Sequence, residues 1–221
     1  VVFIKIMSQV KKNLFFNIIT LVVNIGVGFF YTPYLVNSLG IIAYGVIPLA
    51  MIISQYINIL TTSLTGALTR FYSVEIQDNN YKQASIYLSS SLIVILLIIL
   101  FTIPLFFFII FNIDTIFNIP NELKNSANTL FTFTLISFYV SLISSLFNII
   151  LYATNRLDLL NKVNIIRSSL KVLSTVLLFE TIDIDIKFIG ISNFIAEIIV
   201  LGLSLYFFKK YANINIKLKI K

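Results

Sequence analysis

Long apolar segments separated by short polar ones form the main pattern along this 221-residue chain. Residues 13–69 contain no charged side chain. That run is too long for one membrane-spanning helix and long enough for two, since each needs about 20 residues. Turn-forming residues divide the run: Asn37, Ser38, Gly40 and Gly45. The pattern therefore predicts two spans, at about residues 14–36 and 43–72.

Four further apolar segments follow, each bounded by a polar or charged loop. They lie at about residues 84–111, 125–153, 161–179 and 188–208. The sequence thus predicts an all-α integral membrane protein in which six transmembrane helices form one lobe within residues 1–210. Residues 211–221 are predicted to be a basic cytoplasmic tail or a linker to a second lobe.

Composition narrows the class of function. Hydrophobic residues make up 58% of the chain and charged residues 11%, against about 25% charged in soluble domains. The chain has no Cys and no His, which excludes disulfide scaffolds, thiol nucleophiles, histidine acid–base chemistry and the usual zinc sites. The acidic residues lie mostly in loops and form no pair with a recognisable catalytic spacing. We therefore expect no enzyme activity, no cofactor and no metal site.

The distribution of Lys and Arg predicts the orientation. Six spans place both ends of the chain on one side of the membrane. Of the 16 basic residues, two fall on the opposite side (Lys124 and Lys187) and two lie inside the fifth span. The other twelve are Lys5, Lys11, Lys12, Arg70, Lys82, Arg156, Lys162, Lys209, Lys210, Lys217, Lys219 and Lys221. Because basic loops stay inside, both termini are predicted to be cytoplasmic. Ile, Asn, Lys and Phe, whose codons are rich in A and T, are abundant and hint at a bacterium, so we expect the cytoplasmic membrane of a bacterium.

Polar side chains recur every three or four residues in four of the predicted spans, which places each set on one helix face. The predicted third span, in contrast, is almost purely apolar and is expected to face lipid. Small polar residues also help membrane helices pack against each other, so a single stripe does not prove a cavity. Among the members of these stripes are Asn24, Asn58, Ser141 and Asn148.

Two cations lie inside the predicted fifth span. Arg167 and Lys171 are four residues apart and share one helix face. Lys171 lies about ten residues into the span, roughly 15 Å deep in a hydrocarbon core of about 30 Å. A charge there normally faces a bundle interior or a wet cavity. Glu197 lies at a similar depth in the sixth span and is predicted to pair with Lys171, either as simple charge compensation or as an ion-coupling site.

Arg70 closes the second span on the cytoplasmic side. It is either an interface arginine whose head group reaches the water, or a residue that captures a phosphate at the mouth of a cavity.

Three segments together resemble a known family. They are KKNLFFNIITLVVNIGVGFFYTPYLVNSLGIIAYGVIPLA, then LTTSLTGALTRFYSVE, then YATNRLDLLNKVNIIRSSLKV. In this order they resemble the start of bacterial polysaccharide exporters of the Wzx type, which are lipid-linked oligosaccharide flippases of the multidrug/oligosaccharidyl-lipid/polysaccharide superfamily. The resemblance implies two six-helix lobes around a cationic cavity that opens alternately to each side.

The resemblance also implies a cargo, an anionic polyprenyl-pyrophosphate-linked glycan such as an O-antigen or capsule repeat unit. With six spans the chain corresponds to the N-terminal half, so we expect it to need a second six-helix lobe or to form a homodimer, and not to bind nucleic acid. The expected cavity residues are Arg70, Arg167, Lys171, Asn24, Asn58, Ser141 and Asn148, with Glu197 for ion coupling or charge pairing.

Two alternatives stay open. One is another exporter of the same superfamily, either a cation-coupled drug exporter or a peptidoglycan-precursor flippase. The other is an inactive fragment or a partner-binding subunit of the membrane. The predicted fifth and sixth spans hold two bases and one acid, which favours an anionic cargo over an organic cation.

Overall fold

The computed structural model describes the backbone of residues 2–212, and the side chains from residue 7 onward except those of residues 53, 60 and 114. Within this range the chain is helical, without strands, and confirms an all-α integral membrane protein. The helices are α1 (Val2–Gly26), a π-helical turn (Val27–Tyr31), α2 (Thr32–Leu39), α3 (Ile41–Gln77), α4 (Tyr81–Phe111), α5 (Ile113–Phe117), a 3-10 turn (Asn121–Leu123), α6 (Lys124–Ala153), α7 (Leu157–Thr181) and α8 (Lys187–Tyr211).

The described chain crosses the helical bundle six times. Gln9 of α1 contacts Asp158 at the start of α7, and Arg156 contacts Tyr211 at the end of α8, so these segments meet at one end, here called the basal end. At the opposite, distal end, residues from α2, α3, α6 and α8 share one apolar cluster with the turn between α7 and α8. The starts and ends of the six long helical segments therefore alternate between the two ends.

Five described segments are long and apolar enough to cross a membrane. They are Met7–Leu39, Ile41–Ile59, Tyr81–Phe111, Asn121–Ala153 and Lys187–Tyr211. The count differs from the six predicted spans because α7 is not among them. Its polar and charged stripe, including Arg167 and Lys171, lowers its overall apolarity. Since α7 nevertheless runs from the basal to the distal end, its crossing of the membrane stays a prediction.

Left-handed backbone conformations mark several helix ends. Asn79 follows α3, Asn118 follows α5 and Asn155 follows α6, with φ angles of 56°, 50° and 54°. Asn tolerates this conformation better than other residues with a side chain. Gly40, with φ 79°, separates α2 from α3 within the turn-forming cluster of the sequence. These breaks are local, so their positions follow directly from residue type.

Helix α6 lies at the centre of the bundle and packs most extensively against α8. At Gly190 the two helices are so close that a Cβ would lie 2.9 Å from the backbone oxygen of Leu130. Helix α1 packs along α7, whereas α3 packs along α6 and α4. The arrangement leaves a groove between α1 and α3, with α6 and α7 as its floor.

Helix α4 packs against α3 and α6 and leaves a large apolar surface exposed. The exposed side chains are Leu96, Leu97, Leu100, Phe101, Leu105, Phe107, Phe108 and Phe111. Such a surface is what hydrocarbon tails cover in a membrane protein. The placement agrees with the expectation that this helix faces lipid.

Candidate functional site

Three adjoining cavities run along the groove from the basal end to the middle of the bundle. The basal cavity, of about 520 Å3, lies between α1 and the start of α7 and includes Asn13 and Asn161. The central cavity, of about 430 Å3, lies between α3, α6 and α7 and shares Asn164 with the basal cavity. The deep cavity, of about 190 Å3, adds α8 and shares Arg167 with the central cavity. The shared residues make the three cavities one continuous polar groove.

The polar faces predicted from the sequence build this groove. Helix α3 contributes Thr62, Thr65 and Thr69, and α6 contributes Ser141, Ser145, Asn148 and Tyr152. Helix α7 contributes Asn164, Arg167 and Lys171. Their spacing of three or four residues keeps each set on one side of its helix. The stripes therefore converge on a common space, which helix packing alone does not require.

The ion pair in the groove joins Arg167 to Glu197, whose Nε and Oε1 atoms are 2.9 Å apart. The Nε–H is not aligned with the carboxylate, so the contact is an ion pair rather than a well-formed hydrogen bond. Arg167 also donates from Nη1 to Oδ1 of Asn164, at 3.0 Å. The predicted pairing of Lys171 with Glu197 is therefore corrected. Counting residues along each helix gave the right depth for these side chains. It did not give the direction in which they point around the helix axis, and two residues four apart point about 40° apart.

Lys171 lines the deep cavity together with Arg167 and Glu197. It has an electrostatic interaction with Glu197 but no hydrogen-bond or ion-pair partner among the described residues. Because Arg167 already contacts the acid, Lys171 carries the uncompensated charge of the groove. The pairing of Lys171 with Glu197 that the sequence predicted would have left the uncompensated charge on Arg167 instead.

Several buried oxygen atoms of the groove have no hydrogen-bond partner. They are Oγ of Ser54, Oγ1 of Thr134, Oδ1 of Asn148 and Oε2 of Glu197. Asn148 and Thr134 are each 6% exposed, so solvent at the surface does not satisfy them. Buried polar atoms are nearly always bonded in folded proteins. Other unpartnered oxygens among the described residues, on Tyr72, Ser89, Asn128 and Ser192, lie outside the three cavities, so those of the groove are the ones beside open space.

The structure places only some of the other predicted cavity residues in the groove. Ser141 lines the deep cavity and Asn148 the central one. Asn24 lies on the exposed side of α1 and accepts a hydrogen bond from Ser168 of α7, at 3.2 Å. Asn58 is exposed on α3, where it accepts bonds from threonines of its own helix, and Arg70 is exposed. None of these last three lines one of the three cavities.

Sequence reasoning missed a second polar cluster, here called the basal network. Its members are Gln9, Asn13, Asn155, Arg156, Asp158 and Tyr211. Gln9 Nε2 donates to an Asp158 oxygen at 2.8 Å, and Arg156 holds both oxygens of that carboxylate at 3.0 and 3.2 Å. Asn13 accepts from the backbone N–H of Asp158 at 2.9 Å, so a residue of α1 caps the start of α7. The only available signal was the polar composition of the segment.

The basal network controls the ionisation of Asp158. Burial of this carboxylate would raise its pKa, but hydrogen bonds from Arg156 and Gln9 outweigh that effect and hold the pKa below its usual value. The Asp158 carboxylate in turn raises the pKa of Arg156 by accepting its hydrogen bond. Both groups therefore stay ionised over the physiological range, which suits a permanent structural contact.

Comparison with known proteins gives one relative and no assigned family. The chain is 27% identical over 195 residues to the Uncharacterized membrane protein EpsK of Bacillus subtilis (strain 168). The alignment covers 88% of this chain and 38% of that protein, so the chain spans well under half of its relative. No protein-family model matches the sequence. No solved structure matches it either. The likeness and the apolar helices together support a multi-pass membrane protein.

Proposed function

We propose that this chain is one lobe of a bacterial exporter that moves an anionic, lipid-linked oligosaccharide across the cytoplasmic membrane. The observation that carries the proposal is the uncompensated Lys171 at the inner end of a groove lined with polar side chains. A lone cation is costly inside a membrane unless it serves a ligand or a wet cavity. A pyrophosphate group supplies the matching negative charge and accepts charge-assisted hydrogen bonds.

The central cavity suits the sugar part of such a cargo. Its volume of about 430 Å3 lies in the range usual for small-molecule sites. Hydroxyl and amide groups of Thr65, Thr69, Asn148 and Tyr152 line it. Sugars present many hydroxyl groups, each of which needs a hydrogen-bond partner when it leaves water. A neutral polar surface next to a cationic one therefore fits a molecule that joins a glycan to a phosphate.

The distribution of charge suggests the orientation of the lobe. Described cations cluster at the basal end, with Lys11, Lys12, Lys82, Lys209 and Lys210 among them. Because basic segments stay in the cytoplasm, the basal end is the cytoplasmic one. The groove reaches that end through the basal cavity, whereas packed apolar side chains fill the distal end. These observations support a lobe whose groove opens to the cytoplasm.

Transport by a complete exporter needs more than this lobe. Among residues 2–212 the groove has a floor and two sides but no cover, and the relative EpsK is longer than the matched region. We therefore propose that a second six-helix lobe, or a second copy of the chain, closes the cavity. Alternating exposure of the groove to the two sides of the membrane would then move the head group of the lipid across.

Native mass spectrometry of the purified chain in detergent tests the substrate class. The probes are a short-chain polyprenyl-pyrophosphate disaccharide and the same disaccharide on an uncharged polyprenol. We expect the charged lipid to bind at least tenfold more tightly, and Lys171→Met to remove most of that preference, since it removes a charge-assisted contact.

Lys162→Met is the matched control, because Lys162 lies on the exposed surface of the same helix and contacts the ring of Phe16. It should keep the preference for the charged lipid. Equal binding of both lipids by the unmodified chain, or the same loss in both lysine variants, would refute the proposal.

A further inference from the structure

Two hydroxyl groups in the deep cavity differ from all other serine and threonine hydroxyls of the groove. In helices, Ser and Thr commonly donate to the carbonyl oxygen one turn back. The groove-lining residues that do so are Thr62, Thr65, Thr69, Ser137, Ser141 and Ser145. Ser54 of α3 and Thr134 of α6 do not, and their hydroxyl oxygens are buried without any described partner. Their O–H groups are therefore free to donate into the deep cavity.

The other buried, unpartnered hydroxyls of the described chain do not face the deep cavity and its charged side chains. Tyr72, Ser89 and Ser192 also lack a partner, but none of them lines one of the three cavities. Ser54 and Thr134 line a cavity of about 190 Å3 that also contains Arg167, Lys171 and Glu197. Two free donors and an unpaired ammonium in one small space point to a common ligand.

We propose that the deep cavity is a subsite for a single phosphoryl group, held by the hydroxyls of Ser54 and Thr134 and by the ammonium of Lys171. This inference rests on the proposed transport function and narrows it, since it separates the site of the phosphate from that of the sugar. The two hydroxyls lie on different helices from Lys171, so one ligand would bridge α3, α6 and α7.

Charge and size both favour a phosphoryl group. Arg167 contacts Glu197 and offsets the repulsion between that acid and an anion, which leaves Lys171 as the net positive charge. The free groups of the subsite are mostly donors, and phosphoryl oxygens are strong acceptors. The volume is below the roughly 300 Å3 at which small-molecule pockets begin. A sugar chain therefore belongs in the central cavity.

A bound sodium ion is the competing occupant, because Ser54, Thr134 and Glu197 also offer oxygen atoms. Two cationic side chains line the same cavity, and they disfavour a further cation there. The phosphoryl group is thus the better match to the described charges. The experiment below includes sodium as an outcome that contradicts the proposal.

Isothermal titration of inorganic pyrophosphate into the purified chain, in detergent and at constant salt, tests the subsite. We expect binding by the unmodified chain and about tenfold weaker binding for Thr134→Val and for Ser54→Ala, since each removes one hydrogen bond to a charged ligand. The thermal midpoint of Thr134→Val should stay unchanged or rise, because the variant removes a buried hydroxyl that has no partner.

Matched controls come from the same two helices. Thr132 of α6 donates to the oxygen of Asn128, and Ser63 of α3 donates to the oxygen of Ile59, and neither lines the deep cavity. Thr132→Val and Ser63→Ala should keep the affinity of the unmodified chain. Equal affinities for Thr134→Val and Thr132→Val would overturn the subsite.

Two other results would also overturn it. The first is failure of the unmodified chain to bind pyrophosphate. The second is stabilisation by sodium chloride, relative to potassium chloride, that Thr134→Val abolishes. The proposed transport function is judged separately, by the preference for the charged lipid and its loss in Lys171→Met. If that preference is present and Lys171→Met removes it, but Thr134→Val and Thr132→Val bind pyrophosphate equally well, the transport proposal stands while the subsite falls.

Discussion

The basal network and the groove contain similar polar residues, but those of the basal network have hydrogen-bond partners and several of those in the groove do not. In the basal network, Asp158 accepts from two side chains, and Asn13 both donates and accepts. In the groove, Thr134 and Asn148 are buried to the same degree but keep oxygen atoms without partners. A saturated polar cluster stabilises a fold, whereas an unsaturated one retains its hydrogen-bonding capacity for a ligand. From this difference we infer a structural role for the basal network and propose a ligand-binding role for the groove.

The largest expected effect is loss of the basal carboxylate. Asp158→Ala leaves Arg156 without its counter-charge and Gln9 without its acceptor, and it should lower the free energy of unfolding by about 2–3 kcal/mol. The thermal midpoint in detergent, followed by circular dichroism, measures the change. Asp78→Ala, in the exposed turn after α3, is the control and should change little. A similar midpoint for both variants would show that the network does not stabilise the fold.

The two cations of α7 should differ in their effect on stability. Arg167→Met leaves the buried Glu197 without its adjacent partner and should cost about 1–3 kcal/mol. Lys171→Met removes a charge that has no partner, so stability should stay the same or rise. The midpoints of the two variants, measured under one set of conditions, give the comparison.

A double variant tests which cation pairs with the acid. Arg167→Met combined with Glu197→Gln should recover most of the stability lost in Arg167→Met alone, since the acid that Arg167 contacts is then no longer charged. If Glu197→Gln instead rescues a destabilised Lys171→Met, the pairing expected from the sequence is right and the one in the structure is not.

These same residues show which features of the groove the sequence predicts and which depend on helix packing. The stripes on α3, α6 and α7 were predictable, because a period of 3.6 residues is a local property of a helix. The pairing of Arg167 with Glu197 was not, because it depends on how two helices rotate against each other. Asn24 and Asn58 had the right spacing, but their helices turn them away from the cavities. Local periodicity therefore finds a polar face, and tertiary packing decides what that face meets.

The basal network escaped prediction for a related reason. Its contacts join residues more than 140 positions apart, from Gln9 to Asp158 and from Asn13 to Asn155. In the sequence these residues look like the ordinary polar flanks of membrane spans. Nothing in the spacing of Arg156 and Asp158 indicates that Tyr211 lies beside them. Only the meeting of α1, α7 and α8 at the basal end shows it.

Two buried asparagines, one in the basal network and one in the groove, should differ by about 1–2 kcal/mol in their effect on the free energy of unfolding. Asn13 and Asn148 are 9% and 6% exposed, but Asn13 has partners for both its amide groups, whereas Asn148 Oδ1 has none. Asn13→Leu should therefore lower the free energy of unfolding by about 1–2 kcal/mol. Asn148→Leu should be neutral or stabilising. Equal losses would mean that the two clusters do not differ as the structure indicates.

The smallest expected effect is the loss of stability at low pH. The pKa of Asp158 lies below its unfolded value of about 3.9, so its stabilising contribution is complete above pH 4 and disappears as the pH falls through the folded pKa. Gln9, Asn13 and Asn155 of the network carry no titratable group, and Arg156 stays protonated because the hydrogen bond to Asp158 raises its pKa.

The thermal midpoint of the unmodified chain should therefore hold from pH 7 to about pH 5 and fall below about pH 4. Asp158→Asn should show a shallower fall, because it has already lost the contribution that acid removes. Some fall should remain, since the pKa of Asp185 is also lowered: hydrogen bonds from Ser126 and the backbone of Lys187 outweigh its burial. Identical acid profiles in the two proteins would contradict the lowered pKa of Asp158. They would also remove the electrostatic part of the difference between the basal network and the groove.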